Sequence, residues 1–101
     1  MKRVVLIEEA SDDLRDAKLF YNMIDPGVGD YCADSLLSDI ERLGMFHGYH
    51  SMHFDCHRAL AVRFPFGIYY IDEQDEIKVV AVLDLRRDPS WIRSELGRRS
   101  D

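Results

Sequence analysis

The 101-residue sequence has little lysine, proline or cysteine, and it has no long uninterrupted apolar run. A membrane-spanning helix needs about 20 predominantly apolar residues, so a spanning helix is excluded. The basic and apolar amino terminus runs into acidic residues rather than a small-residue cleavage site, which argues against a signal peptide. The two cysteines, Cys32 and Cys56, are therefore expected to be free thiols. These features predict a cytoplasmic protein with no membrane association.

The sequence also lacks the short motifs that identify common catalytic and phosphate-binding sites. It contains no glycine-rich phosphate loop, no nucleophile elbow and no carboxylate pair at a telling spacing, and nothing in it calls for a cofactor. A chain of this length with 47% hydrophobic residues can bury one core. We therefore expect residues 1–101 to form a single domain.

The net charge of −6 hides an asymmetry along the chain. Residues 1–56 carry 5 basic and 11 acidic side chains, a balance of −6, whereas residues 57–101 carry 8 of each. The overall charge argues against general nucleic-acid affinity. Five arginines follow the last predicted strand and form either a local basic patch or a solvated tail: Arg86, Arg87, Arg93, Arg98 and Arg99.

The first half of the sequence predicts a strand followed by two helices. A β-branched run predicts a strand over about residues 3–8, and Ser11 is placed to cap the helix that follows. The run "DPGVGD" ends that helix, and the apolar spacing predicts a second one from about Asp30 to Gly44. Two helices joined by a short turn should form an antiparallel hairpin that packs on a sheet.

The second half predicts a three-stranded antiparallel meander and a short helix. "HRALAVRF" alternates, with Leu60, Val62 and Phe64 on one face, and Pro65 marks the turn into "FGIYYI". An acidic loop leads to "IKVVAVL", which is typical of a central strand covered on both faces. The last helix should begin after a capping Asp88 and end at Gly97. The predicted domain mixes helix and sheet, in the order strand, helix, helix, strand, strand, strand and short helix.

A dense histidine and cysteine segment lies between the helices and the meander. His47, His50, His53, Cys56 and His57 follow one another at spacings of three, three, three and one. Imidazole and thiolate groups are zinc ligands, but the spacing matches no closed zinc signature. The sequence therefore favours a histidine-rich loop without a metal site.

Cleavage of RNA through a ribose hydroxyl would need a base, an acid and cations that face the phosphate. Arg63, on a strand face among small residues, either protrudes into a concave surface or pairs with a carboxylate. Tyr69 and Tyr70 should point to opposite faces, one into the core and the other available to stack on a partner. The residue types that could supply this chemistry are His57, Asp84, Arg58, Arg63, Arg86 and Arg87.

Two sequence stretches resemble the RelE/ParE superfamily of bacterial toxins from type II toxin-antitoxin modules. "FPFGIYYI" is similar to the family's "FPY-x-IYY" strand turn, and "IKVVAVLDLRRDP" is similar to its "V-x-VLHxRRDP" strand ending. The helical hairpin with its Gly-x-Gly turn agrees more weakly, and the resemblance covers about residues 3–96. It implies the α+β class, with a four-stranded, mostly antiparallel sheet against a helical hairpin. It also implies a cognate antitoxin that neutralises the protein in a hetero-oligomer.

Within that superfamily, RelE-like members cleave messenger RNA on the ribosome and ParE-like members poison DNA gyrase. The chain looks more like the second group, because lysines are scarce, Asp84 stands where many relatives have histidine, and the tail "GRRSD" has no terminal Tyr or His. The alternatives are a ribosome-dependent endoribonuclease that uses Arg63, Arg87 and His57, or a member that binds antitoxin and has lost toxicity. The residues expected to contact target or antitoxin are Arg58, Arg63, Tyr69, Asp84, Arg86, Arg87 and Trp91.

Overall fold

The structure is a computed structural model that describes residues 1–99, so the last two residues of the "GRRSD" tail lie outside it. Its elements, in chain order, are β1 (Arg3–Leu6), α1 (Glu8–Ile24), α2 (Val28–Glu41), a short 3-10 helix (Arg42–Gly44), β2 (Met52–His53), β3 (Cys56–Leu60), β4 (Phe66–Asp72), β5 (Glu76–Asp84) and α3 (Pro89–Arg99). Among residues 1–99, no helix is long and apolar enough to cross a membrane.

The sheet has the order β1-β5-β4-β3-β2. β1 runs parallel to β5, and the other neighbouring strands are antiparallel, so the predicted α+β class and mostly antiparallel sheet are confirmed. The sheet has five strands rather than the predicted four, because Met52 and His53 pair back onto the start of β3. Two residues are too short to show any alternation in sequence. The tight turn between β2 and β3 has Phe54 and Asp55 at positive φ.

The helical hairpin depends on the turn "PGVG". Gly27 has φ +94°, a left-handed conformation that costs glycine little. At Gly29 an added Cβ would lie 2.0 Å from the Lys18 carbonyl oxygen, so only glycine lets the helices approach this closely. The Asn22 side-chain oxygen accepts the amide hydrogens of Gly27 and Gly29 at 3.1 and 2.8 Å. The predicted antiparallel hairpin is confirmed with these contacts at its tip.

Several predicted helix boundaries were wrong by a few residues. α1 begins at Glu8, and the amides of Ala10 and Ser11 already donate to the Ile7 carbonyl, so Ser11 lies inside the helix rather than at its cap. α2 begins at Val28, directly after the left-handed Gly27, instead of near Asp30. Gly97 does not end α3, which continues through this residue to Arg99.

Other predicted boundaries were right. Asp88 caps α3, because its carboxylate accepts the Ser90 amide hydrogen at 2.8 Å. The run "HRALAVRF", in contrast, is a strand only as far as Leu60. Beyond it the chain leaves the sheet, the Val62 amide donates to the Asp39 carboxylate at 3.0 Å, and both Leu60 and Val62 are exposed.

Two apolar clusters cover the two faces of the sheet. Under α1 and α2 lies the larger cluster, which includes Cys32, Ile68 and Tyr70, each with no solvent exposure. Under α3 lies a smaller cluster that includes Cys56 and Tyr69. Both cysteines are free, as predicted. The fold is thus a sheet with a helical hairpin on one face and a single short helix on the other.

A β-bulge in β5 divides the side chains of that strand between the two clusters. Tyr70 lies opposite Val79 and Tyr69 lies opposite Ala81, so Val80 is an extra residue in β5. Val79 and Val82 pack under the hairpin, whereas Val80, Ala81 and Leu83 pack under α3. β5 is buried on both faces, as its apolar sequence predicted.

Candidate interaction site

An open cleft of about 530 Å³ lies between α1 and α3, beside the second half of β5. Its wall and floor combine apolar and charged side chains. They are Asp13, Asp16, Ala17, Phe20, Phe66, Val82, Leu83, Asp84, Arg87, Trp91, Glu95 and Arg99. The cleft exists because β1 ends at Leu6, where the chain turns into α1 and leaves the edge of β5 without a strand beyond Val79.

A buried ion pair closes the bottom of this cleft. Arg99 donates from Nη1 and Nη2 to the two carboxylate oxygens of Asp13, at 2.5 and 2.9 Å. The same groups satisfy the open edge of β5, because the Val82 amide donates to Asp13 at 2.9 Å and Arg99 donates to the Val80 carbonyl at 3.2 Å. Only 9% of the Asp13 side chain and 7% of the Arg99 side chain are exposed. Arg99 therefore fastens the end of α3 to α1.

Burial and pairing act on the ionisation of this cluster in opposite directions. Burial raises the pKa of Asp13 above its ordinary value, although hydrogen bonds from Arg99 and the Val82 amide oppose the rise. Hydrogen bonds from Arg98, and then from Arg99, lower the pKa of Glu95, the second carboxylate that holds Arg99. The pairing keeps Arg99 charged in spite of its burial.

At the end of β5, Asp84 holds Arg86. The Arg86 guanidinium donates to both Asp84 oxygens, at 3.0 and 2.7 Å, and to the Tyr21 hydroxyl at 3.1 Å. The hydrogen bonds from Arg86 lower the pKa of Asp84 below its ordinary value. Asp84 therefore acts here as an ionised acceptor that is paired with Arg86.

Arg87 and Trp91 form the outer rim of the cleft. The Arg87 guanidinium carbon lies 3.6 Å from the centroid of the Trp91 ring, which is cation–π geometry. The guanidinium carbon of Arg93, on α3, lies 5.6 Å from the centroid of the Phe54 ring. Within residues 1–99, neither Arg87 nor Arg93 has a carboxylate oxygen within 4 Å.

These contacts change the expected character of the arginine-rich end. Of its five arginines, Arg86, Arg98 and Arg99 are held by carboxylates. Arg87 lies on Trp91 and Arg93 on Phe54. The end of the molecule is therefore a surface of paired charges and aromatic rings, and neither a bare cationic patch nor a loose solvated tail describes residues 86–99.

Arg58 and Tyr69 lie on the face of the sheet that α3 covers, as partners across β3 and β4. Tyr69 is 1% exposed, and burial raises its pKa. A partner cannot stack on it in this conformation, so the expected binding role of Tyr69 does not fit the structure. Both tyrosines are core residues, and the expectation that one would be free to stack was wrong. The Nε of Arg58 is buried without a hydrogen-bond partner among residues 1–99.

Of the residues expected for a nuclease, His57 lies apart from Arg63 and Arg87. His57 stacks on Tyr70 under the helical hairpin, and its Nδ1 donates to the His50 carbonyl at 2.7 Å. His57 lies opposite Tyr70 and Asp84 opposite Phe66. His57 and Asp84 are thus separated by four residues along the strand direction and by two strand spacings across the sheet. This places their Cα atoms about 16 Å apart. Arg87 lies three residues beyond Asp84, at the end of β5 that is far from His57. Arg63 is exposed in the bend before β4.

The histidine-rich segment forms hydrogen bonds with the end of β4. His47 Nδ1 lies 3.1 Å from the Asp72 carboxylate, which also binds Lys2. The Gly48 amide donates to the Tyr70 hydroxyl at 2.9 Å, and His50 Nδ1 lies 2.5 Å from the same oxygen. Cys56 packs under α3, on the opposite face. In the described part of the chain, no three histidine, cysteine, aspartate or glutamate side chains lie close enough together to hold a metal ion.

The fold is similar to that of solved structures. A chain of the chromosomal ParDE TA system from P. aeruginosa matches this chain at 16% identity with a TM-score of 0.73. The match covers 81% of this chain and 94% of that chain. The fold is ParE-like. No protein-family model matches the sequence, and no curated protein matches it. The ParE-like fold that the sequence resemblance implied is therefore confirmed.

Sequence reasoning placed Asp84, Arg87 and Trp91 near one another but missed the α1 wall of the cleft. Asp13 was not among the predicted site residues. It lies beside the buried positions Ala10, Leu14 and Ala17 of α1. A carboxylate next to an apolar helix face signals a buried partner, and that signal was available in the sequence. The partner, Arg99, is 86 residues away and could not be identified without the fold.

Proposed function

We propose that the protein is the toxin of a bacterial type II toxin-antitoxin module and acts as a ParE-like inhibitor of DNA gyrase. The observation that carries the proposal is the fold, which matches a chain of a ParDE TA system over most of both chains. The "FPFGIYYI" and "LRRDP" stretches add sequence support at the same elements, β4 and the end of β5. The protein would act in the cytoplasm as a single toxin domain.

The side chains favour binding over catalysis. A ribonuclease site needs a base and cations that converge on one phosphate. His57 is engaged under the helical hairpin, while Arg87 lies on Trp91 at the far end of β5. Arginine and tryptophan are enriched at the hot spots of protein interfaces. Arg87 and Trp91 therefore support a role in protein recognition.

The proposed contact surface consists of the rim of the cleft and the adjacent bend. We assign target or antitoxin contacts to Arg63, Arg86, Arg87 and Trp91, with Asp84 positioning Arg86. Arg58 is kept as a further contact candidate. It lies on the face of the sheet that α3 covers, and its side chain passes close to Gly67. Tyr69 is left out, because it is buried.

The proposed partners are DNA gyrase as target and a cognate antitoxin that covers the toxin in a hetero-oligomer. A gyrase supercoiling assay with the purified chain tests the target. We expect inhibition by the native protein, and about a tenfold weaker inhibition by Arg87→Ala, as for the loss of an interface hot spot. Arg15→Ala is the matched control, since Arg15 pairs with Asp12 on exposed α1 surface away from the cleft.

Primer extension on translated messages after induction distinguishes the nuclease alternative. Defined cuts within codons, together with unchanged supercoiling at high protein excess, would contradict gyrase inhibition. They would identify the protein as a ribosome-dependent endoribonuclease. Harmless overexpression in the absence of antitoxin would identify a member that has kept binding and lost toxicity.

A further inference from the structure

A second, smaller pocket lies between the end of α2, residues 45–50 and β3. This α2–β3 pocket has a volume of about 180 Å³, and it shares no lining residue with the cleft, from which β4 separates it in the sheet. Leu43 and Ile68 form its buried floor, whereas Phe46, Tyr49 and Val62 surround it and are each more than half exposed. Exposed apolar groups that cluster in this way mark an interaction surface. The surface combines a hollow with protruding apolar side chains.

The rim of the α2–β3 pocket carries one permanent charge of each sign. Asp39 and Arg42 both line the pocket and lie three positions apart, where α2 continues into the 3-10 helix. Asp39 accepts the Val62 amide hydrogen at 3.0 Å, but neither Asp39 nor Arg42 forms an ion pair within residues 1–99. Burial lowers the pKa of His50, which also lines the pocket, so this ring is neutral at pH 7. The balance of charge favours neither an acidic nor a basic partner.

A two-fold axis would satisfy both charges at once. In an isologous interface the same surface patch meets itself, so that each residue faces its counterpart's neighbour in both directions. With the axis between Asp39 and Arg42, each carboxylate meets the guanidinium of the second copy. The same rotation brings the protruding Phe46, Tyr49 and Val62 of one copy against the hollow of the other. The surface is therefore complementary to itself in charge and in shape.

We propose that the chain forms a two-fold symmetric homodimer through the α2–β3 pocket, with Phe46, Tyr49 and Val62 packed across the axis and Asp39 paired with Arg42 of the second copy. The α1–α3 cleft lies outside this interface, so the dimer carries two open clefts. The inference goes beyond the proposed function and does not depend on it.

Analytical ultracentrifugation of the purified chain measures the dimer dissociation constant. At about 0.15 M salt the Debye length is about 8 Å, which screens the long-range repulsion between two chains of net charge −6. We expect a monomer–dimer equilibrium between about 1 and 300 μM. Phe46→Ala should raise the dissociation constant about a hundredfold, because each dimer loses two copies of a contact worth about tenfold. Phe20→Ala is the matched control, since the two rings are 52% and 53% exposed but Phe20 lies in the cleft.

Exchange of the two charges tests the two-fold geometry. Arg42→Glu leaves two acids on the rim and Asp39→Arg leaves two cations, so each variant alone should be monomeric. An equal mixture forms both ion pairs across the axis and should dimerise about as tightly as the native protein. Asp34→Arg changes the net charge by the same amount as Asp39→Arg, on exposed α2 surface outside the pocket, and should dimerise like the native protein.

Asp39→Asn keeps an acceptor for the Val62 amide and removes only the charge. It should raise the dissociation constant about tenfold. Restored dimerisation in the mixture of Arg42→Glu and Asp39→Arg would itself show that both variants fold.

Several results would overturn the inference. One is a native protein that stays monomeric up to about 300 μM, and another is a dimer that Phe20→Ala dissociates and Phe46→Ala does not. A native dimer whose dissociation constant is unchanged in Asp39→Asn would contradict the ion pair across the axis. These measurements contain neither gyrase nor antitoxin, so a failed supercoiling assay would count against the proposed function alone.

Discussion

Asp13 on α1 and Arg99 in the last turn of α3 form a two-pronged ion pair across the open edge of β5. The pair also binds the Val82 amide and the Val80 carbonyl, which no strand reaches. An unpaired strand edge is a template for unwanted association, and proteins blunt such edges with charged side chains. The same contact attaches a short helix with little apolar surface to the rest of the domain.

Replacing Arg99 with alanine should destabilise the protein by about 3–5 kcal/mol, because Asp13 would remain buried without its cation. The neighbouring Arg98 provides the control, since it is exposed and pairs with Glu9 and Glu95 at the surface. Urea denaturation should show a lower midpoint for Arg99→Ala and almost no change for Arg98→Ala. Similar midpoints for the two variants would show that the Asp13–Arg99 pair contributes little.

Gly29→Ala should destabilise the helical hairpin, because the new Cβ would lie 2.0 Å from the Lys18 carbonyl oxygen and force α1 and α2 apart. Gly97→Ala is the matched control: its Cβ meets nothing within 4 Å, and alanine favours a helix by up to about 1 kcal/mol over glycine. Thermal unfolding should therefore shift down for the first variant and slightly up for the second. A Gly29→Ala protein as stable as the native one would contradict the close helix approach.

Arg87→Ala should expose one face of the Trp91 ring, because the guanidinium lies 3.6 Å from the ring centroid. We expect a red-shifted Trp91 emission and stronger quenching by acrylamide, with stability changed by no more than about 1 kcal/mol. Arg93→Ala removes an arginine of α3 that faces Phe54 instead of Trp91, and the emission of this variant should match that of the native protein. Identical spectra for Arg87→Ala and the native protein would argue against the stacked arrangement.

The stability of the protein should fall as the pH decreases from about 7 towards 5. Burial lowers the pKa of His50 below its ordinary value of 6.5, and the nearby His57 lowers it further. The unfolded chain therefore takes up a proton first, so this contribution to stability is present above pH 6.5 and is lost as the pH falls through the lower folded pKa. His50 Nδ1 lies 2.5 Å from the Tyr70 hydroxyl oxygen, so the change in protonation takes place beside the core residue Tyr70.

Urea denaturation at several pH values measures this effect. His50→Gln should lower stability at pH 7 and flatten its dependence on pH between 7 and 5. The residues that face His50 are His57, Tyr49 and Tyr70, so the same series on His57→Gln tests whether the slope belongs to His50 itself. An unchanged slope in His50→Gln would assign the pH dependence to other groups.

Most of the fold could be predicted from sequence because its signals are local. The strand after Pro65, the acidic hairpin loop, the apolar β5 and the Asp88 cap all follow from short stretches of residue types. The predictions failed where tertiary contacts decide. The strand Met52–His53 forms only because β3 offers it a partner, and Leu60 is exposed because the chain leaves the sheet there.

The candidate site could be predicted only in part, because half of it comes from the other end of the chain. The stretch "DLRRDPSW" contributes Asp84, Arg87 and Trp91, and their proximity in sequence made them candidates. Asp13, Asp16 and Phe20 join them through the packing of α1 beside β5. Burial also removed one candidate: the alternation of Tyr69 and Tyr70 was predicted correctly, but both faces of the sheet are covered at that point.

The extra residue Val80 determines on which side of the sheet the end of β5 presents its side chains. Side chains alternate along a regular strand, so if Val80 took an ordinary place in the ladder instead of forming a bulge, Leu83 would lie on the hairpin face and Asp84 on the α3 face. Arg86 would then lose its carboxylate, and the cleft would lose its outer wall. The bulge at Val80, rather than the composition of the core, thus determines which side chains β5 presents beside the cleft. Deletion of Val80 should keep Leu83 and Asp84 on their present faces, whereas a straightened strand that retains Val80 would exchange them.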